Sequence, residues 1–121
     1  MGTLRRMRFD AHTVVLLVRA PDAPDLPEDA AAAVQNAHLA YQAGLADRGL
    51  LVVAGPFTDQ TDERLRGICV LATDLETARA LYAKDPAVLA GRLVVEAMTW
   101  LVPAGGAAFT PVRLPRSMDE V

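Results

Sequence analysis

The chain has 121 residues, enough for one domain whose apolar core needs neither disulfides nor a structural metal. Twelve Lys and Arg against fifteen Asp and Glu leave a formal charge of −3, which offers no broad attraction to nucleic-acid backbones or anionic lipid. No apolar run reaches the ~20 residues needed to cross a bilayer, and the segment MGTLRRMRFD lacks the apolar core of a signal peptide, so a cytoplasmic protein with no nucleic-acid or membrane partner is expected.

Residues 1–12 mix arginines with polar groups without period and predict a flexible lead. The run TVVLLVR from Thr13 to Arg19 predicts a first strand buried on both faces, closed by a loop holding Pro21, Pro24 and Pro27. Asp25-Leu26-Pro27-Glu28 has the form of a helix start with Asp25 as cap, and the helix is predicted to run to about Arg48 before Gly49 ends it. Within it Val34, His38, Tyr41 and Leu45 share one stripe, which places His38 inside. Leu50–Ala54 predicts a second strand ended by a Gly55-Pro56 corner, and Leu65–Ala72 a third after a polar hairpin loop. Thr73-Asp74-Leu75-Glu76 repeats the capping-box pattern and opens a second helix ending near Lys84. Asp85-Pro86 then opens a short turn with aspartate as cap, Gly91 ends it, and RLVVEAMTWL from Arg92 to Leu101 predicts the fourth strand. Residues 13–103 thus form the domain, and 104–121 an extended tail anchored by Phe109 and Leu114.

The order strand, helix, strand, strand, helix, strand is that of an α+β ferredoxin-like split βαβ sandwich, with both helices on one face of an antiparallel sheet. Strands with apolar residues on both sides leave the uncovered face in need of a partner, so a homodimer with sheets packed face to face is expected, the tail sealing the interface or covering the neighbour's pocket.

His38 is the histidine that secondary structure fixes; His12, in the lead or at the start of the first strand, reads as surface. An inward histidine alone is most simply a satisfied buried imidazole. Asp85 changes that balance, because the loop after the second helix reaches the first in this topology, and a carboxylate beside imidazole orients the ring and stabilises the imidazolium formed on proton uptake. Capping the Pro86 turn does not compete with that role. Other chemistries fail on residue counts: two histidines and one cysteine make no zinc site, no phosphate loop or dinucleotide fingerprint is present, and Ser117 is the only serine. Cys69, inside an apolar run, reads as a small buried hydrophobe. What remains is a site for proton transfer on a small molecule without a cofactor. Tyr41 is a candidate to bind a substrate oxygen, Gly55 and Pro56 to shape the rim, and Trp100 reads as a packing residue.

The segments AHLAYQAGLADRGLLVVAGPF from Ala37, GICVLAT from Gly67 and KDPAVLAGRLVVEAMTW from Lys84 together resemble the YCII-related domain family over nearly all of residues 13–103. The resemblance implies a dimeric ferredoxin-like α+β barrel whose active site pairs a histidine with an aspartate, at the positions of His38 and Asp85 here. It also implies, from a few similar proteins, elimination or dehydrochlorination of small rings derived from aromatics, and muconolactone isomerases share the fold. The expected function is a small cofactor-independent lyase or isomerase; the alternative is a non-catalytic dimeric domain that binds a small acid in the same pocket.

Overall fold

β-branched residues crowd the first regular stretch, which forms strand β1, Phe9–Arg19, in a computed structural model that describes residues 6–121. β1 starts at Phe9 and not at Thr13. Its ladder with β4, Leu93–Pro103, runs from Phe9↔Pro103 to Arg19↔Leu93, so backbone pairing carries the strand through residues that side-chain patterning reads as loose. The expected flexible lead therefore overlaps a strand over residues 9–12, and its residues 1–5 lie outside the described residues. His12 is correspondingly half-buried and not a surface residue, packed between Trp100 and the edge of Phe109, and its Nε2 is buried with no hydrogen-bond partner among the described residues.

Helix α1, Glu28–Asp47, begins three residues after the expected cap at Asp25, with Pro27 in the cap position and no side chain bonded there. Proline disfavours helical geometry at the residue before it, so Leu26 cannot serve as a first turn, and Glu28 and Asp29 supply the negative charge that suits a helix start. At the other end Arg48 is the cap and Gly49 follows with φ 73°, the left-handed conformation glycine adopts without penalty.

Strands β2, Leu51–Pro56, and β3, Leu65–Leu71, form an antiparallel hairpin. Gly55 and Pro56 are not a corner after the strand but its last two residues, paired with Ile68 and Gly67. β2 lies at the sheet edge, where a residue without an N–H breaks no interior ladder. Gly67 is required there: a Cβ on it would stand 2.8 Å from the Gly55 carbonyl oxygen. Helix α2, Leu75–Tyr82, is capped by Asp74, whose carboxylate accepts from the Thr77 amide at 2.8 Å, so the cap is one residue later than a capping box on Thr73 would put it. The short helix α3, Pro86–Leu89, is capped by Asp85.

The sheet has the order β2-β3-β1-β4 with every pair antiparallel, and the helices pack on one face of it. This is the α+β ferredoxin-like arrangement. Val15, Leu17, Cys69 and Leu71 from the sheet meet Leu45, Ala78 and Tyr82 from the helices in one core. Leu114 of the tail packs against that core and lines the cavity of its own chain, which makes the tail a wall of this pocket within the monomer. Among the described residues no helix is long and apolar enough to cross a membrane.

Candidate active site

One turn of α1 and the junction between α2 and α3 build the site. His38 is 5% exposed on the inner face of α1, and Asp85, fully buried, faces it from the junction. His38 Nδ1 and Asp85 Oδ1 are 2.7 Å apart. The other carboxylate oxygen, Oδ2, accepts from the amides of Ala87 at 3.1 Å and Val88 at 3.3 Å, so Asp85 caps α3 and holds the imidazole with separate oxygens. The Asp-Pro dipeptide explains the placement: proline supplies a ready first turn, and its preceding residue is extended with the side chain turned back over the helix start.

Gln42, one turn beyond His38, completes the arrangement. Its Oε1 accepts from the Tyr82 hydroxyl at 3.3 Å and from the Cys69 thiol at 3.5 Å, which leaves its amide nitrogen to donate to His38 Nε2 at 3.0 Å. That network assigns the tautomer. Nε2 carries the lone pair and Nδ1 carries the proton donated to Asp85. Burial pushes the Cys69 thiol up to about 12, so it is protonated and can serve as the donor the network needs, not as a nucleophile. Burial likewise raises the Tyr82 phenol, and the Tyr41 phenol is raised first by burial and then by the negative charge of Asp85.

A cavity of about 370 Å³ opens beside this network, and His38, Gln42, Gly55 and Pro56 are among its walls. Its size lies within the range of ~300–1,000 Å³ usual for small-molecule sites. Of the residues expected at the site, His38 reaches the cavity wall, Asp85 stands behind it, and Gly55 and Pro56 line the same cavity. Tyr41 is not brought there. Its hydroxyl donates to the Leu81 carbonyl of α2, and it is absent from the cavity wall. The cause is angular: Gln35, His38, Leu39 and Gln42 turn one side of the helical stripe to the cavity, while Tyr41 stands on the side toward α2. Gln42 takes that place instead, and its position one helical turn from His38 is the feature of the sequence that marks it.

A family model described as the YCII-related domain matches residues 12–101. Among solved structures the chain is similar to the 5-chloro-2-hydroxyhydroquinone dehydrochlorinase of Burkholderia phenoliruptrix AC1100 in complex with 2,5-dihydroxybenzoquinone, at 24% identity, covering 72% of this chain and 92% of that one, with a TM-score of 0.44. Comparison with curated proteins gives no match.

Proposed function

Because this chain belongs to the YCII-related domain family, we propose that its cavity is the active site of a small enzyme in which His38 and Asp85 carry out general acid-base proton transfer on a small cyclic substrate. The observation that supports this reading is the buried hydrogen bond of 2.7 Å between His38 Nδ1 and Asp85 Oδ1 at a cavity wall. In the proposed step the Nε2 lone pair of His38 takes a proton from a carbon next to a carbonyl or a leaving group. The C–H electron pair becomes a new C=C bond. In elimination the leaving group departs with its own bonding pair; in isomerisation a double bond already in the ring shifts, and its π pair takes the proton back from the imidazolium at another carbon. Asp85 keeps the ring in the Nδ1–H tautomer and offsets the charge that His38 gains.

Nε2 has one lone pair, and Gln42 already donates to it. Substrate and Gln42 therefore compete for the same electrons, and the Gln42 contact must be released as the imidazolium forms. The same observation favours a second reading: with both ring nitrogens hydrogen-bonded, His38 is satisfied without any substrate, as in a non-catalytic pocket that only binds a small acid.

Replacing His38 with Ala separates the two. Chloride release from 5-chloro-2-hydroxyhydroquinone, the compound named for the similar enzyme, and deuterium uptake from heavy water into cyclic enones and lactones are measured for both proteins. The enzyme reading expects a loss of ~10²–10⁴-fold in rate with the fold and ligand affinity kept. Wild-type protein that binds these compounds without turning any over, with His38→Ala changing affinity alone, sinks it in favour of the binding reading.

A further inference from the structure

Arg19, Arg66 and Arg92 lie on the cavity wall, and no Asp or Glu does. All fifteen Asp and Glu side chains fall within the described residues, yet the ion pairs join Asp62 to Arg64, Glu120 to Arg113, Asp47 to Arg116 and Asp85 to His38. None reaches the three arginines of the cavity. In a chain with net charge −3, three arginines lining one cavity with no Asp or Glu side chain among them are a local excess of positive charge.

The sheet brings them together. Arg19 ends β1, Arg92 immediately precedes β4 and is tied to the end of β1 by the bond from the Ala20 amide to its carbonyl at 2.9 Å, and Arg66 lies where the β1–β3 register shifts between Leu17 and Val18. Two are braced but not used up. Arg92 Nη1 donates to the Pro24 carbonyl at 2.9 Å and Arg66 Nη1 to the Glu63 carbonyl at 3.3 Å, which leaves most of each guanidinium's five donors free for a ligand. Leu17, Leu39 and Leu93 supply apolar parts of the same wall. The pattern of an apolar chamber with planar, bidentate donors at its opening matches a ring or short hydrocarbon bearing a carboxylate.

We infer that the substrate of this site is a small organic acid, held by Arg19, Arg66 and Arg92 with its apolar body in the cavity and its reacting carbon at His38. The inference rests on the proton-transfer reading for the position of the reacting carbon, while the charge selection stands on the arginines alone. A fixed carboxylate also supplies the orientation that a cavity with mostly apolar walls does not.

Calorimetry on the full chain with three matched pairs tests it: benzoate and benzamide, phenylacetate and phenylacetamide, cyclohexanecarboxylate and its carboxamide. At least one carboxylate is expected to bind about tenfold or more tightly than its amide, with the preference removed in the triple variant Arg19→Gln, Arg66→Gln, Arg92→Gln and weakened as salt rises from about 50 to about 500 mM. Arg19 and Arg66 are exposed, so the double variant of those two keeps the test open should the change at Arg92 disturb folding, and it must itself reduce the preference. Carboxylates that bind no better than their amides across all three pairs, or that fail to bind at all, overturn the proposal. So does a preference that survives the arginine changes but is lost in His38→Ala, because the imidazole would then hold the anion. If His38→Ala keeps both turnover and the carboxylate preference, the proton-transfer reading falls and the anion site stands.

Discussion

Each oxygen of the Asp85 carboxylate has its own task, one on His38 and one on two amides of α3, and that division allows the residue to be tested without unfolding its helix. Asparagine caps helices about as well as aspartate. In Asp85→Asn the amide oxygen keeps the cap and the NH₂ group turns to His38 Nδ1, where it donates and forces the proton onto Nε2. The base nitrogen is then blocked. The cap is kept, but the Nε2–H then faces the buried Gln42 NH₂, so stability is expected to fall by about 1–3 kcal/mol, while turnover falls by up to ~10⁴-fold, the scale of a histidine held in the wrong tautomer. Thermal unfolding and the ¹⁵N shifts of His38 check the two halves; turnover unchanged with the tautomer reversed would remove Asp85 from the mechanism. Gln42 is the counterpart on the other nitrogen. It holds Nε2 unprotonated at rest and, through Tyr82 and Cys69, connects the imidazole to the core.

At the level of elements, the tail is fastened to α1 by polar contacts. Arg116 pairs with Asp47 at 2.9 Å and the Met118 amide donates to Asn36 at 2.8 Å, while within the tail itself Arg113 pairs with Glu120 at 2.7 Å. Arg113 hydrogen-bonded to Glu120 is the main reason that its carboxyl is held at about 2 against an ordinary value of 4.5. A carboxyl depressed in the native state stabilises it fully above the ordinary value and loses that contribution as pH falls through the native one. The fold of the tail around Glu120 is therefore expected to loosen between pH 4.5 and about 2. Asp47, whose carboxyl is lowered chiefly by its hydrogen bond with Arg116, loosens the hold on α1 in the same direction, and both give way sooner in high salt because the pairs are exposed. Hydrogen exchange at the Arg116 and Met118 amides checks this. They should lose protection in that window before the β1 amides do, and loss in step with β1 would mean the tail has no independent clamp. Since Leu114 and Pro115 line the cavity, loosening the tail also opens the site.

On the scale of the whole molecule, the face of the sheet away from the helices is the unfinished part. Val53, Val70, Val14 and Met98 pair in register across all four strands and so lie on one face, where Val53 is 37% and Met98 38% exposed. Val94 at 43% and Trp100 at 46% stand on the same side, where the exposed Glu96 between Val94 and Met98 bounds the apolar row. We propose that a second copy covers this apolar strip, sheet against sheet. Sedimentation is expected to give twice the monomer mass, and Met98→Glu, which sets a charge in the middle of the strip, to give the monomer. A monomeric wild-type chain at high concentration would refute the dimer.

The sequence by itself determined the elements, their order and the inward direction of His38, because strand and helix periods, Asp-Pro and the Arg48-Gly49 stop are local signals that neighbouring residues enforce. It also placed Asp85 at a helix cap, since capping needs nothing beyond the next three residues. The start of β1 at Phe9 and the continuation of β2 through Pro56 were decided by pairing with strands distant in the chain. So was the choice between Tyr41 and Gln42: a helical stripe is wide enough to hold both, and only the packing of α2 beside α1 sends one to a backbone carbonyl and the other to the imidazole. The three arginines come from separate strand ends, and no spacing along the chain relates them. Only the folded sheet brings their charges to one opening.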